Sequence, residues 1–114
     1  LYTVADVERT LARFVTVRYD EVREVLPGVR VRFRDAGHIL GSASIELWGT
    51  AGGRTAKLVF SGDLGQYGTP ILKDPEALAD ADLVIMESTY GDRRHRRRAD
   101  TIAELAGIFT GADH

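Results

Sequence analysis

The stretch VRVRFRDAGHILGSASIELWGTAGGRTAKLVFSGD, residues 29–63, decides the fold class of this 114-residue chain. Its first six letters alternate apolar and charged side chains, and residues 44–48 and 55–61 alternate again. A period of two residues is typical of strands with one buried face. The Gly52 and Gly53 pair between the last two runs favours a hairpin turn. The stretch therefore predicts three consecutive strands.

Segments outside this stretch add two helices and a further strand to the prediction. Apolar side chains recur at helical spacing near the N-terminus, at Val4, Val7, Leu11 and Phe14. Thr3 and Asp6 have the spacing of a capping box at the start of this helix. Residues 99–109 follow the helical period again. Residues 82–87 contain a continuous apolar run, which suits a strand buried on both faces.

Residues 19–26 fit either a short helix or an extended segment, and Pro27 with Gly28 predicts a turn after them. The resulting order of elements indicates an α/β layered fold. So few helices cannot cover both faces of the sheet, which indicates that residues 1–114 are an incomplete domain. The chain begins at Leu1 without an initiator methionine, so we expect a segment of a longer protein or a processed product.

Composition excludes several kinds of site. Hydrophobic residues make up 44% of the chain, enough for a core, and the net charge of −2 does not by itself indicate nucleic-acid binding. Cysteine is absent, so disulfides and thiolate metal sites are excluded, and any metal must bind His, Asp, Glu or backbone oxygen. The lack of cysteine fits a cytoplasmic protein. No apolar run reaches the roughly 18 residues of a membrane helix, and no signal peptide is recognisable.

Three candidate site residues lie where a predicted strand ends: His38 in DAGHILGSA, Asp63 in FSGDLG and Glu87 in MESTYG. A neutral imidazole on a glycine-flanked loop suits zinc, although local hydrogen bonds are the simpler interpretation of a lone histidine. A carboxylate in a Gly-Asp-x-Gly turn can bind one ion or bridge two, yet aspartate is also an ordinary turn residue. An acid directly after four apolar residues is expected to be partly desolvated, which makes it a candidate for a shifted pKa, unless it is merely a turn carboxylate.

The spacing of the three residues strengthens the metal hypothesis. His38 precedes Asp63 by 25 residues, and Asp63 precedes Glu87 by 24. Each interval is long enough for a strand and its return, so all three side chains can reach one edge of the sheet. Such a group suits metal-assisted hydrolysis, without fixing the substrate.

The segments DAGHILGSA, FSGDLG and ESTYGDRRH, in this order, resemble motifs of the β-CASP metallo-β-lactamases. This family of RNA nucleases includes ribonuclease J and the nuclease subunit of the cleavage and polyadenylation machinery. The resemblance covers residues 2–109. It implies that the chain is the second half of a metallo-β-lactamase domain, part of an αββα-type layered sandwich, without the first motif HxHxDH and without the β-CASP insert.

The resemblance also implies a role for each candidate residue. His38 matches a histidine that binds one of two zinc ions, and Asp63 matches the aspartate that bridges both. Glu87 matches a catalytic-site acid that supports the histidine of a later motif. In the family the zinc pair activates a water that attacks an RNA phosphodiester, so RNA, and less specifically DNA, is the expected partner.

The missing motifs limit what the isolated chain is expected to do. Its histidines are His38, His95 and His114, so neither HxHxDH nor the later β-CASP histidines are present. One histidine and one aspartate are fewer ligands than zinc takes from a protein. We therefore expect weak zinc binding and no turnover. The alternatives are a hydrolase of small esters or thioesters and a non-catalytic scaffold subunit of an RNA-processing complex.

Three further groups have simpler interpretations. The basic run RRHRRR, residues 93–98, can contact phosphates, but a solvated loop is the favoured interpretation, and His95 is given no metal role. Solvent exposure is expected for the arginines of the first strand, Arg30, Arg32 and Arg34. Phe33 and Trp48 are expected in the core rather than as base-stacking platforms.

Overall fold

A computed structural model describes residues 1–111 of the chain. These residues form two helices and five strands: α1 (Val4–Leu11), β1 (Arg23–Leu26), β2 (Val29–Asp35), β3 (Ala43–Ala51), β4 (Arg54–Phe60), β5 (Leu83–Ile85) and α2 (Arg98–Gly111). The strands lie in one sheet in chain order. Neighbours from β1 to β4 are antiparallel, and β5 is parallel to β4 because the chain crosses back between them. The mixed α/β character is confirmed.

Local sequence signals account for the turns and the first helix. Gly52 and Gly53 have φ angles of 56° and 75°, so the predicted hairpin between β3 and β4 is confirmed. The Thr3 backbone N–H donates to the Asp6 carboxylate over 2.8 Å, and the Thr3 hydroxyl accepts from the Asp6 N–H, which completes the predicted capping box. Of residues 19–26, which the sequence left undecided between helix and extended structure, Arg23–Leu26 are extended and pair with β2 as strand β1.

The strand register gives the sheet one apolar face. Two apolar rows cross it, Val31–Leu47–Leu58–Leu83 and Phe33–Ile45–Phe60–Ile85. Part of this face is an open groove of about 630 Å³, bordered by Val15 and Val17 of the segment before β1. The helices leave the sheet uncovered, and neither buries a residue within the described chain. The radius of gyration is 19.7 Å, whereas about 13 Å is typical of a compact domain of this length.

The prediction that the apolar run at 82–87 is buried on both faces is wrong for the described chain. A strand does form there, but Leu83, Val84 and Ile85 are 52%, 54% and 50% exposed. The strand lies at the edge of the sheet, paired only with β4, and no described element packs over it.

The opposite face of the sheet is charged. Its most buried member is the side chain of Glu46, which accepts from Arg32 Nε over 2.5 Å and lies 2.6 Å from Lys57 Nζ. Burial by itself would raise the pKa of the Glu46 carboxyl. Hydrogen bonds from both cations outweigh burial, so the pKa lies below its ordinary value. A buried carboxylate in the middle of the sheet is thus kept ionised by two cations.

The expected environment of several side chains on this face is corrected. Arg30 is exposed as expected, but Arg32 and Arg34 are half-buried because they form ion pairs, Arg34 with Asp20 and Glu76. Trp48 is not in the apolar core. The register places it on the charged face, where Arg30, Arg32 and Lys57 lie 5.5–5.9 Å from its ring centroid. Phe33 belongs to the apolar face, as expected.

No helix among the described residues has both the length and the apolar character needed to cross a membrane.

Candidate metal centre

His38 and Asp63 meet at one edge of the sheet. His38 lies on the loop between β2 and β3, and Asp63 follows β4. Nε2 of His38 is 4.0 Å from Oδ2 of Asp63, and their side chains are 44% and 73% exposed. Two ligands of one tetrahedral zinc lie about 3.4 Å apart, given metal–ligand distances of about 2.0–2.1 Å. A small rotation of either side chain would bring both onto one ion, so the geometry allows a shared cation.

Direct backbone contact holds the two loops together. The N–H of Gly65 donates to the carbonyl of Ala36 over 2.8 Å. A Cβ atom at position 65 would overlap the carbonyl of Gly37 and lie 2.7 Å from the backbone nitrogen of His38. Only glycine fits there, so the closeness of His38 and Asp63 depends on a residue that carries no functional group.

Hydrogen bonds of two serine hydroxyls also stabilise these loops. Ser42 Oγ accepts from the backbone N–H groups of His38 and Ile39, over 3.1 and 3.2 Å. The buried Ser44 Oγ donates to the carbonyl of Ser61 over 2.6 Å and so links the two strands beneath the loops. Both Ser42 and Ser44 lie in or beside the motif DAGHILGSA, but residue type alone predicted no role for them. Their position in or beside the motif was the only feature of the sequence that could have indicated a structural role.

Glu87 is joined to the loop that carries Asp63. Its Oε1 accepts from the N–H of Leu64 over 2.6 Å, and its own N–H donates to Ser61 Oγ over 3.0 Å. The Leu64 N–H is the largest cause that holds the pKa of Glu87 below its ordinary value of 4.5, followed by a hydrogen bond from Thr89. The shift is thus downward and comes from hydrogen bonding, whereas the sequence suggested desolvation.

His38 and Glu87 share a cavity of about 750 Å³ with the basic run. Its lining also includes exposed residues on the approach to α2 and at its start, Tyr90, Arg94, His95, Arg96 and Arg98. The basic run is therefore exposed, as expected, but it is not a loop remote from the candidate site. Asp63 lies beside this cavity rather than among its lining residues.

The two candidate ligands fit a metal ion only as part of a larger set. Among residues 1–111, no three His, Asp or Glu side chains converge as a metal-binding group. Zinc takes four protein ligands in structural sites and three plus water in catalytic sites. His38 and Asp63 fit two of these positions, and an ion held there needs further ligands from outside the described residues.

Comparison with known proteins gives the family. The chain matches no protein-family model. It is 42% identical to a ribonuclease of Thermus thermophilus over 104 residues, which cover 91% of the chain and 23% of that protein. It is 36% identical to cleavage and polyadenylation specificity factor 73 of Drosophila melanogaster over 103 residues, which cover 88% of the chain and 14% of that protein. It is 34% identical to transcription termination factor FttA of Pyrococcus abyssi over 92 residues, which cover 80% of the chain and 14% of that protein.

The chain thus spans less than a quarter of the length of each of these relatives. The similarities nevertheless extend over four fifths or more of the chain itself. Together they show that the chain belongs to the β-CASP metallo-β-lactamase family of RNA nucleases, of which it represents one part.

Proposed function

We propose that this chain is part of a zinc-dependent RNA nuclease and supplies His38 and Asp63 to its metal centre. The observation that carries the proposal is the 4.0 Å approach of His38 Nε2 to Asp63 Oδ2. Two residues separated by 25 positions meet there at one edge of a sheet, on loops held by a glycine contact. RNA is the substrate because one relative is named a ribonuclease and another a cleavage and polyadenylation factor.

We further propose that residues 1–114 are one partial metallo-β-lactamase domain. The uncovered apolar face of the sheet supports this, since its two rows and the groove of about 630 Å³ need a second layer to exclude water. The half-exposed strand β5 supports it as well, because its apolar run is typical of a strand with covered faces.

The residues divide the work by their chemistry. A zinc ion, when bound, lowers the pKa of a water and neutralises charge on the phosphodiester. His38 would hold the metal through its imidazole, and its backbone N–H is fixed by donating to Ser42 Oγ. Asp63 offers a carboxylate that can bridge two ions. Glu87 keeps the loop of Asp63 in place through the Leu64 N–H and can support a histidine of a later segment.

The isolated chain is proposed to bind zinc weakly and not to turn over. Residues 1–111 bring together two candidate ligands rather than the three or four that zinc takes. The scaffold alternative also fits a chain with two candidate ligands, but the retention of both His38 and Asp63 disfavours it. The two proposals differ in whether His38 and Asp63 contact an ion at all.

Calorimetric titration of the chain with Zn²⁺ separates them. We expect weak binding that is lost in His38→Ala and in Asp63→Ala and kept in His95→Ala, a histidine substitution outside the pair. Equal binding by the chain and by a variant lacking both residues would overturn the metal role and favour the scaffold. Zinc-dependent cleavage of a labelled RNA by chain freed of contaminating nuclease would instead contradict the proposed inactivity.

A further inference from the structure

We propose that Tyr90, His95 and Arg94 form a binding subsite for single-stranded RNA. All three line the cavity that His38 and Glu87 also line. A base stacks on the rings of Tyr90 and His95, and the Arg94 guanidinium donates to a backbone phosphate. The proposal rests on the proposed function for its choice of RNA, but the geometry that carries it involves neither candidate metal ligand.

The aromatic half of the subsite is already assembled. The rings of Tyr90 and His95 have centroids 3.9 Å apart and are tilted by 34°. The guanidinium of Arg93 lies 5.2 Å from the Tyr90 centroid. Tyr90 is 49% exposed, so this small stack is open to the cavity instead of being buried in a core. An unpaired base stacks on such a surface, whereas a base within a duplex has no free face to offer.

The cationic half depends on which arginines are already paired. Arg96 forms an ion pair with Glu104, Arg97 with Asp100 and Arg93 with Asp92. Arg98 donates to the carbonyl of Gly68 over 2.8 Å. The side chain of Arg94, in contrast, makes no hydrogen bond or ion pair to any residue in the described part of the chain. Arg96 and Arg97 thus link the segment to α2, and Arg98 links the start of α2 to the loop at Gly68. Arg94 remains available for a phosphate.

The position of the subsite agrees with its proposed role. His38 and Glu87 line the same cavity of about 750 Å³, so a strand stacked on Tyr90 passes a phosphodiester close to the candidate metal centre. Such a platform contacts base faces and phosphates rather than base edges. We therefore expect little preference among sequences.

Binding is tested by fluorescence anisotropy with a labelled twelve-nucleotide oligouridylate, in EDTA so that no metal contributes. We expect Tyr90→Ala and His95→Ala each to weaken binding about 5- to 150-fold, the usual range for loss of one stacking contact. Tyr90→Phe keeps the ring and should bind like the unchanged chain. Tyr2→Ala, which removes an exposed tyrosine from the N-terminal segment, is the matched control. An abasic oligonucleotide should bind equally to the unchanged chain and to Tyr90→Ala.

The phosphate contact is tested by salt dependence. Removal of one contact to a single strand lowers the slope of log affinity against log salt by about 0.7. We expect this change for Arg94→Ala and no change for Arg54→Ala, an exposed arginine in strand β4 beside the hairpin turn. Circular dichroism checks that each variant keeps the fold of the unchanged chain.

Equal affinities for Tyr90→Ala and Tyr2→Ala, or equal salt slopes for Arg94→Ala and Arg54→Ala, would overturn the subsite. Tighter binding of a duplex than of the single strand would also contradict it. Because metal is absent, failure of these measurements leaves the role of His38 and Asp63 intact, and failure of the zinc titration leaves the subsite intact.

Discussion

The strands of the sheet end on one side at a hairpin edge, where Gly52 and Gly53 connect β3 and β4, and on the other at a site edge, where Gly65 lies beside His38. Glycine serves a different purpose at each edge. At the hairpin edge, Gly52 and Gly53 have positive φ angles, and a side chain at either would meet no atom within 4 Å. At the site edge, a Cβ on Gly65 would overlap the neighbouring loop. The first pair lets one chain segment reverse direction, and the other glycine lets two segments touch. The comparison shows that a glycine in a turn and a glycine in a site cannot be told apart by residue type.

The largest effect that separates the edges is expected for Gly65→Ala. The added methyl group collides with the backbone of Gly37 and His38, so one loop must move. We expect a loss of about 3 kcal/mol in the free energy of unfolding, as for severe overpacking, and loss of the zinc binding that depends on His38 and Asp63. Urea denaturation and zinc titration measure the two effects.

Gly49→Ala is the matched control for this substitution. Gly49 lies in β3, has ordinary backbone angles, and has open space where a Cβ would be placed. Alanine there should leave stability equal or raise it slightly, because glycine is unfavourable in strands. If both variants unfold at the same urea concentration, the proposed contact between the loops is wrong.

A smaller and purely local effect is expected at the hairpin edge. Gly52→Ala forces a side chain into a backbone conformation with φ of 56°, which costs about 1–2 kcal/mol. The strain lies far from the site edge, so the affinity for zinc should stay unchanged while the urea midpoint falls. A parallel loss of zinc binding would show that the two edges are coupled through the sheet.

The smallest effect concerns Glu87 and appears as a pH dependence. The folded-state pKa of Glu87 lies below its ordinary value of 4.5, so its hydrogen bond to Leu64 stabilises the fold above that pH. This contribution is lost as the pH falls through the lower, folded-state pKa. In thermal melts from pH 6 to pH 3, the melting temperature of Glu87→Gln should therefore fall less than that of the unchanged chain. Ser88→Ala, at the exposed neighbouring position, should keep the full pH dependence.

Local patterns were sufficient to predict most of the secondary structure. Alternation predicted strands β2, β3 and β4, and the Thr3–Asp6 spacing predicted the capped start of α1. Each of these features depends on interactions within a few residues of the pattern. The environments of Trp48, Arg32 and Arg34 were predicted incorrectly, because the ion pairs on the charged face join residues far apart in the chain.

By itself, the sequence determined the strands, the turns and the three residues on which the site hypothesis rests. Backbone preferences and motifs depend on residues that are close together in the chain, so they can be recognised without the tertiary structure. Only the tertiary structure decided that His38 approaches Asp63 to 4.0 Å, that Glu87 holds the loop of Asp63, and that Tyr90 and Arg94 face the same cavity. These relations depend on strand register and on the contact of Gly65 with Gly37, which bring together residues that are distant in sequence.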